Sequence, residues 1–211
     1  MSTKNNNIKE VLGITLKLLV ICSIVATIVA SVNHITKDKI AYNEKLNTAN
    51  ALTEIYHDDY GNDFTVDGDS FVIYENDKAV VTCSQENVEF SSKDVKALYV
   101  LKDTENNIHG YCVSVQPMGF KDYIKMLVAI NPDCTVKGVE IVSMSETSGI
   151  GTKAAEPSFL NKFKNLNEAE VRRDVDVISG ATKTSKPVID AVSAALNEVI
   201  NAYAFVGGEV E

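Results

Sequence analysis

Between Val11 and Val32 the chain reads VLGITLKLLVICSIVATIVASV, an apolar run of about 22 residues broken only by Lys17. At ~1.5 Å per residue, a helix of this length spans roughly 33 Å, enough to cross a hydrocarbon core of about 30 Å. Lys17 sits near one end, where its long stem can snorkel toward the headgroups. A cleaved signal peptide would need a shorter apolar stretch, and Val29-Ala30-Ser31 is a mediocre cleavage site. A lipoprotein would use Cys22, but Ile21 stands where a small residue is expected. A retained single-pass anchor fits the length best. The expected organisation is a short cytoplasmic tail (1–10), a transmembrane helix (11–34), a helical neck (35–60) and an extracytoplasmic domain (61–211). Membrane lipid is then one partner, and Ser23, Ala26, Ala30 and Ser31 permit close helix packing within it.

Charge separates the two ends. Five lysines against two acids leave +3 over residues 1–39. With −9 overall, the remainder carries −12, which makes nucleic acid a poor partner. Lysines flank both ends of the span, so positive-inside counting does not orient it. A short tail before a large acidic domain favours the tail inside and the domain outside. Four Cys without CxxC spacing and only three His point to no metal site. Cys83, Cys112 and Cys134 are odd in number, and they read as small buried hydrophobes.

Beyond the anchor, Ile40, Leu46, Ala49, Leu52 and Ile55 recur at helical spacing, up to the turn-rich Asp58–Asp63 stretch. Strand-like runs follow at 71–74, 79–83, 97–101, 110–115, 123–130 and 136–143, the last two joined by Asn131-Pro132-Asp133. Strands in series rather than βαβ alternation predict an α+β domain with a mainly antiparallel sheet. Helices are expected at 156–166 and at 187–205, the second with Ser185 as N-cap and Pro187 near the first helical position.

Two stretches carry the chemistry. Asp176-Val177-Ile178 leads into Ser179-Gly180-Ala181-Thr182-Lys183-Thr184-Ser185, a small-residue turn entering a helix. Such a turn and helix N-terminus cradle phosphate. Lys183 and Lys186 add positive charge, and the hydroxyls can bond a phosphate or be esterified to one. The spacing is not that of a P-loop. The second stretch is Ser145-Glu146-Thr147-Ser148-Gly149-Ile150-Gly151-Thr152-Lys153. Its two glycines let the backbone turn sharply and approach a ligand, but the Rossmann spacing is missing. His57 and His109 are isolated, and no nucleophile elbow or HExxH motif occurs.

Taken together, the anchor, the ETSGIG stretch and the SGAT stretch opening the last long helix resemble the G subunit of the Rnf electron-transport complex. This FMN-binding domain family also includes the C subunit of the sodium-translocating NADH:quinone reductase. The resemblance implies FMN attached through its phosphate to Thr182, the last residue of SGAT. It implies a flavin transferase that makes the bond and reads Asp176. Ser179, Gly180, Ala181, Lys183 and Thr184 would surround the phosphate. Glu146, Thr147, Gly149, Ile150, Gly151 and Lys153 would lie near the ring, with Glu146, Thr147 and Lys153 as polar groups tuning it. No catalytic residue beyond the flavin and no metal is implied. The family pattern usually reads ETPGLG; here Ser148 replaces Pro and Ile150 replaces Leu, while both glycines remain. The implied function is an electron-carrying subunit of a membrane ferredoxin:NAD oxidoreductase complex coupled to Na⁺ or H⁺ translocation. It would be a redox subunit rather than an enzyme alone, working with other membrane and peripheral subunits. Pumping would belong to those partners, because the span has only Lys17 as a charged member. Two other readings share the motifs: a membrane-anchored FMN-binding sensor or regulatory module, and a flavin-free extracytoplasmic interaction domain.

Overall fold

The structure is a computed structural model and describes residues 2–203, with the side chains of 2–11 outside that description. Helix α1 runs Ser2–Tyr60. Its apolar part, from Leu12 on, has a stretch of mean hydropathy 2.4 with none of it buried inside the protein. It is long and apolar enough to cross a membrane. Leucine, isoleucine and valine side chains from Leu12 to Val32 are all exposed, as a lipid-facing helix requires. The chain divides into two units, residues 1–45 and 46–211, so the last turns of α1 belong to the folded domain.

That domain is built on a seven-stranded antiparallel meander: β1 Thr65–Asp67, β2 Ser70–Glu75, β3 Lys78–Glu86, β4 Val95–Asp103, β5 Ile108–Val115, β6 Lys125–Ile130 and β7 Val136–Ser143. Every strand pairs with its sequence neighbour, in the order β1 to β7. The turns explain the hairpins. Asn76 and Asp77 join β2 to β3 with φ of 49° and 62°, the double left-handed geometry of a tight two-residue hairpin. At Asn131-Pro132-Asp133 the Asp133 carboxylate accepts from the Thr135 N–H at 3.0 Å and its hydroxyl at 2.6 Å. The expected turn is there.

Both faces of the sheet are covered. In β6, Leu127 and Ala129 face a core that includes Ala49, Leu52 and Tyr56 of α1. Met126, Val128 and Ile130 face the opposite core, shared with Val188, Val192, Leu196 and Val199. A strand buried on both sides reads as one continuous apolar run. Helices α2 Pro157–Leu160, α3 Glu168–Asp174 and α4 Thr182–Tyr203 lie after the sheet.

Several expectations are corrected. β6 starts at Lys125; Tyr123 instead forms an isolated bridge with Met118. The helix expected over 156–166 is a chain of short turns: a 3-10 turn at Gly151–Ala155, α2, and a second 3-10 turn at Asn161–Phe163. It ends where Asn165 turns left-handed at φ 63°. α3 was not expected; a reciprocal capping box between Asn167 and Glu170 starts it. α4 begins at Thr182, not beyond Ser185, and Pro187 lies inside it. Its expected end, Phe205, lies outside the described residues. Cys83 and Cys112 are fully buried on β3 and β5, separated by β4. Both are free thiols.

Candidate functional site

The SGAT stretch folds as a turn locked onto a helix start. The Ala181 N–H donates to the Ile178 carbonyl at 2.9 Å, and Gly180 sits at the third turn position with φ +79°. That is the type II geometry, which favours glycine there. The Ala181 carbonyl accepts from the N–H groups of Thr184 and Ser185 at 3.0 and 2.9 Å. Ser185 is not an N-cap. Its hydroxyl, fully buried, accepts from the Ile178 N–H at 3.0 Å and donates to the Ala181 carbonyl at 3.1 Å. The turn is thereby tied to the helix it precedes. Asp176, Ser179, Thr182 and Lys183 remain exposed.

The ETSGIG stretch leaves β7 and winds on itself. The Thr147 carbonyl accepts from Ile150, Gly151 and Thr152 at 3.2, 2.9 and 3.3 Å. Gly149 takes φ +74°, and its N–H donates to the Thr152 hydroxyl at 2.9 Å.

Glu146 joins these two stretches to a third. One carboxylate oxygen accepts from the N–H groups of Phe120 and Lys121 at 2.9 and 3.0 Å. The other accepts from the Thr184 hydroxyl at 2.8 Å. Burial pushes the Glu146 carboxyl upward, but the donors from Lys121, Thr184 and Phe120 outweigh it and hold the group below its ordinary range. The side chain is a buried, ionised clamp across residues 26 and 38 positions distant. The glycines around it make room. A Cβ on Gly151 would meet Glu146 Cβ at 2.8 Å and Oε2 at 2.9 Å, and one on Gly119 would collide with Oε1. Gly151 therefore serves the packing of Glu146.

The clamp closes a cleft of about 360 Å³, at the small end of the ligand-pocket range. Nine of the sequence candidates line it: Glu146, Thr147, Ile150, Gly151, Gly180, Ala181, Thr182, Lys183 and Thr184. Ser179, Gly149 and Lys153 do not, and Asp176 lies outside it. Lys186 is turned along the helix to Asp190, at 3.1 Å. The tenth lining residue, Phe120, was missed by sequence reasoning. It projects from the loop between β5 and β6, 56% exposed, with Lys183 Nζ 5.4 Å from its ring centre. The available signal was Met118-Gly119-Phe120-Lys121-Asp122-Tyr123, whose three large apolar side chains are all exposed.

The two threonines of the helix start are in opposite situations. Thr184 is 2% exposed and its hydroxyl is committed to Glu146. Thr182 is exposed, at the cleft, and its hydroxyl makes no hydrogen bond among the described residues. The first N–H groups of a helix have no intrahelical partner and favour negative charge. A free hydroxyl, a helix N-terminus, a lysine and an apolar wall of Phe120 and Ile150 fit a phosphate joined to a flat aromatic group.

Residues 119–197 match the family of FMN-binding domains, and residues 4–55 match the RnfG N-terminal region. The first of these begins at the hairpin that Glu146 holds. The G subunit of an ion-translocating oxidoreductase complex from Methanosarcina acetivorans is 34% identical over 103 residues, covering 46% of this chain and 55% of that one. The G subunit of a proton-translocating ferredoxin:NAD(+) oxidoreductase complex from Clostridium ljungdahlii is 32% identical over 112 residues, covering 49% and 59%. The chain thus spans little more than half the length of these relatives. Among solved structures, the C subunit of the Na(+)-translocating NADH-quinone reductase from Parabacteroides distasonis is 18% identical, with a TM-score of 0.48 over 83% of this chain and 98% of that one. The chain is thus similar to RnfG over its N-terminal residues 4–55 and to FMN-binding domains over residues 119–197.

Proposed function

We propose that this chain is the electron-carrying flavoprotein subunit of a membrane ferredoxin:NAD oxidoreductase complex coupled to Na⁺ or H⁺ translocation. FMN is held through its phosphate on the Thr182 hydroxyl. The observation that carries the attachment is the contrast between Thr182, exposed with an uncommitted hydroxyl, and Thr184, buried and bonded to Glu146. The complex is supported by the names of the Methanosarcina and Clostridium relatives.

When bound, FMN supplies the redox chemistry. The protein's residues hold and orient it. Lys183 and the first turn of α4 bring positive charge to the phosphate. Phe120 and Ile150 offer the apolar wall on which a flat ring excludes water. Glu146 fixes the spacing between that wall and Thr182, because it is bonded to both the Phe120 hairpin and α4. A flavin transferase would move the flavin phosphoryl group from a flavin phosphoanhydride to the Thr182 oxygen, so that the anhydride P–O bond breaks, its other phosphate half leaves, and the hydroxyl proton passes to a base of the transferase. Asp176 and Ser179 are exposed and available to it. The apolar part of α1 anchors the chain as a single span, with the tail inside and the flavin domain outside.

The test is flavin fluorescence in a denaturing gel, with each chain co-expressed with a flavin transferase. Wild type and Thr184→Ala give a fluorescent band and Thr182→Ala a dark one. Fluorescence in Thr182→Ala, or a dark wild type beside a transferase active on a control substrate, overturns the attachment.

A further inference from the structure

Among the described residues, the outer edge of β7 is closed at its start and nowhere beyond it. The Val136 N–H donates to the Leu166 carbonyl at 2.9 Å, and the Val136 carbonyl accepts from the Asn165 N–H at 2.7 Å. From Gly138 to Val142 the edge opens into a cleft of about 900 Å³ within the folded domain. β7 is the last strand of the sheet, and alternate residues of an antiparallel strand turn N–H and C=O away from their one neighbour. This stretch is therefore an unfilled ladder of donors and acceptors. It is not a flat, open edge. The α1 residues Asn50, Glu54 and Asp58 wall it on one side, and Pro157, Leu160 and Asn161 wall it on the other. The slot between them is open to one more strand.

The two walls differ in chemistry. On the α1 side, Gly138 lies under Ile55, and Glu140 follows two residues later. The Glu140 carboxyl is pushed up by burial and by the Glu54 charge, which places two acidic side chains close together on this wall. Asp59 is not part of this, being paired with Lys137. On the other side, Val139 and Ile141 pack with Leu160 in the α4-side core. Against Glu54, Asp58 and Glu140, the cleft carries one lysine, Lys164, besides His57.

We propose that this cleft receives an extended segment of another polypeptide as an eighth strand, with apolar residues alternating with lysine or arginine. Successive side chains of a strand point to opposite faces. The basic ones meet Glu54, Asp58 and Glu140, and the apolar ones meet Leu160 and Pro157. Backbone hydrogen bonds supply affinity and the alternation supplies specificity. The inference rests on the reading that the chain works within a complex, but not on the flavin.

The test uses the full chain in dodecyl maltoside and a labelled peptide, acetyl-Val-Lys-Val-Lys-Val-Lys-amide. Two controls accompany it: a Val-Val-Val-Lys-Lys-Lys peptide of equal charge and an alternating Val-Glu peptide. The alternating lysine peptide is expected to bind at least about tenfold more tightly than either control and to slow amide exchange within 138–142. The paired substitution Glu54→Lys with Glu140→Lys is expected to weaken it by at least about tenfold. Thr182→Ala, which carries no flavin on that hydroxyl, is expected to bind like wild type. Equal binding of the two lysine peptides overturns the proposal, as does no binding at millimolar peptide or protection elsewhere in the domain. Concentration-dependent protection of 138–142 in the chain alone also overturns it, and assigns the edge to a second copy.

Discussion

Replacing Glu146 with alanine removes three hydrogen bonds at one stroke, from Phe120, Lys121 and Thr184. Hydrogen bonds to a charged acceptor contribute roughly 1.5–3 kcal/mol each. The three do not simply add. Phe120 and Lys121 sit on an exposed hairpin, where their N–H groups regain water. Thr184, at 2% exposure, does not, and its orphaned hydroxyl bears the full desolvation cost. The expected loss is about 3 kcal/mol. The hairpin keeps its own bonds, Gly119 N–H to the Asp122 carbonyl and Ile124 N–H to the Pro117 carbonyl, both 2.9 Å. It should detach from α4 without unfolding. Urea unfolding of the full chain in detergent, followed by tyrosine fluorescence because Trp is absent, reads the first effect. With a slope of about 2 kcal/mol per molar, the midpoint falls by about 1.5 M. Amide exchange at Phe120 and Lys121 reads the second. Glu146→Gln keeps an acceptor for the hairpin and costs less. Since the folded state holds the Glu146 carboxyl below its ordinary range, its contribution is full above pH ~4.3 and is lost as pH falls through the lower folded value. The gap between wild type and Glu146→Gln should close in acid. An alanine variant within about 0.5 kcal/mol of wild type, with unchanged exchange at the two amides, refutes the clamp.

Gly151→Ala drives a Cβ to 2.8 Å from Glu146 Cβ and should cost about 1–3 kcal/mol in the same urea assay. Gly149→Ala, which meets open space at φ +74°, should cost only the backbone strain of about 1 kcal/mol; equal losses would contradict the packing role of Gly151. Ser185→Ala orphans the Ile178 N–H and should destabilise by about 1–3 kcal/mol, with faster exchange at Ile178; unchanged exchange there would remove its tie to the turn. Under native conditions a thiol reagent should label the half-buried Cys134 well before Cys83 and Cys112, which are fully buried. The Cys112 hydrogen bond and burial raise the Cys83 pKa, so alkaline pH within the folded range should not bring Cys83 ahead of Cys134.

The strands were legible because period-two alternation and turn chemistry are local. Asn131-Pro132-Asp133 and the apolar run of β6 each announce themselves within a short window. β1 was not, since Thr65–Asp67 is too short for a period. α3 carries one buried apolar residue, Val171, and only its capping box could have revealed it. The helix expected over 156–166 fails for a local reason too, because Asn165 turns left-handed and the segment before it winds as short turns. At the site, both glycine-bearing stretches were visible as strings, but what joins them was not. Glu146 reaches Phe120 and Thr184 across 26 and 38 positions. No pattern in the intervening sequence encodes that separation. The missing Cβ of Gly151 makes room for that carboxylate, a packing role that no local pattern in the ETSGIG stretch announces.

Pro187 divides α4 into two mechanical parts. It has no N–H to give the Lys183 carbonyl four residues back, so the ladder of the helix is interrupted there. The turn that bears Thr182 is secured sideways, by Thr184 to Glu146 and by Ser185 to Ile178. Releasing those two side chains opens the turn while the helix behind Pro187 stays packed on the sheet, at less than the global unfolding free energy. Thr182 can thus be drawn out of its helical conformation in an otherwise folded domain, with the proline acting as the stop that keeps unravelling local.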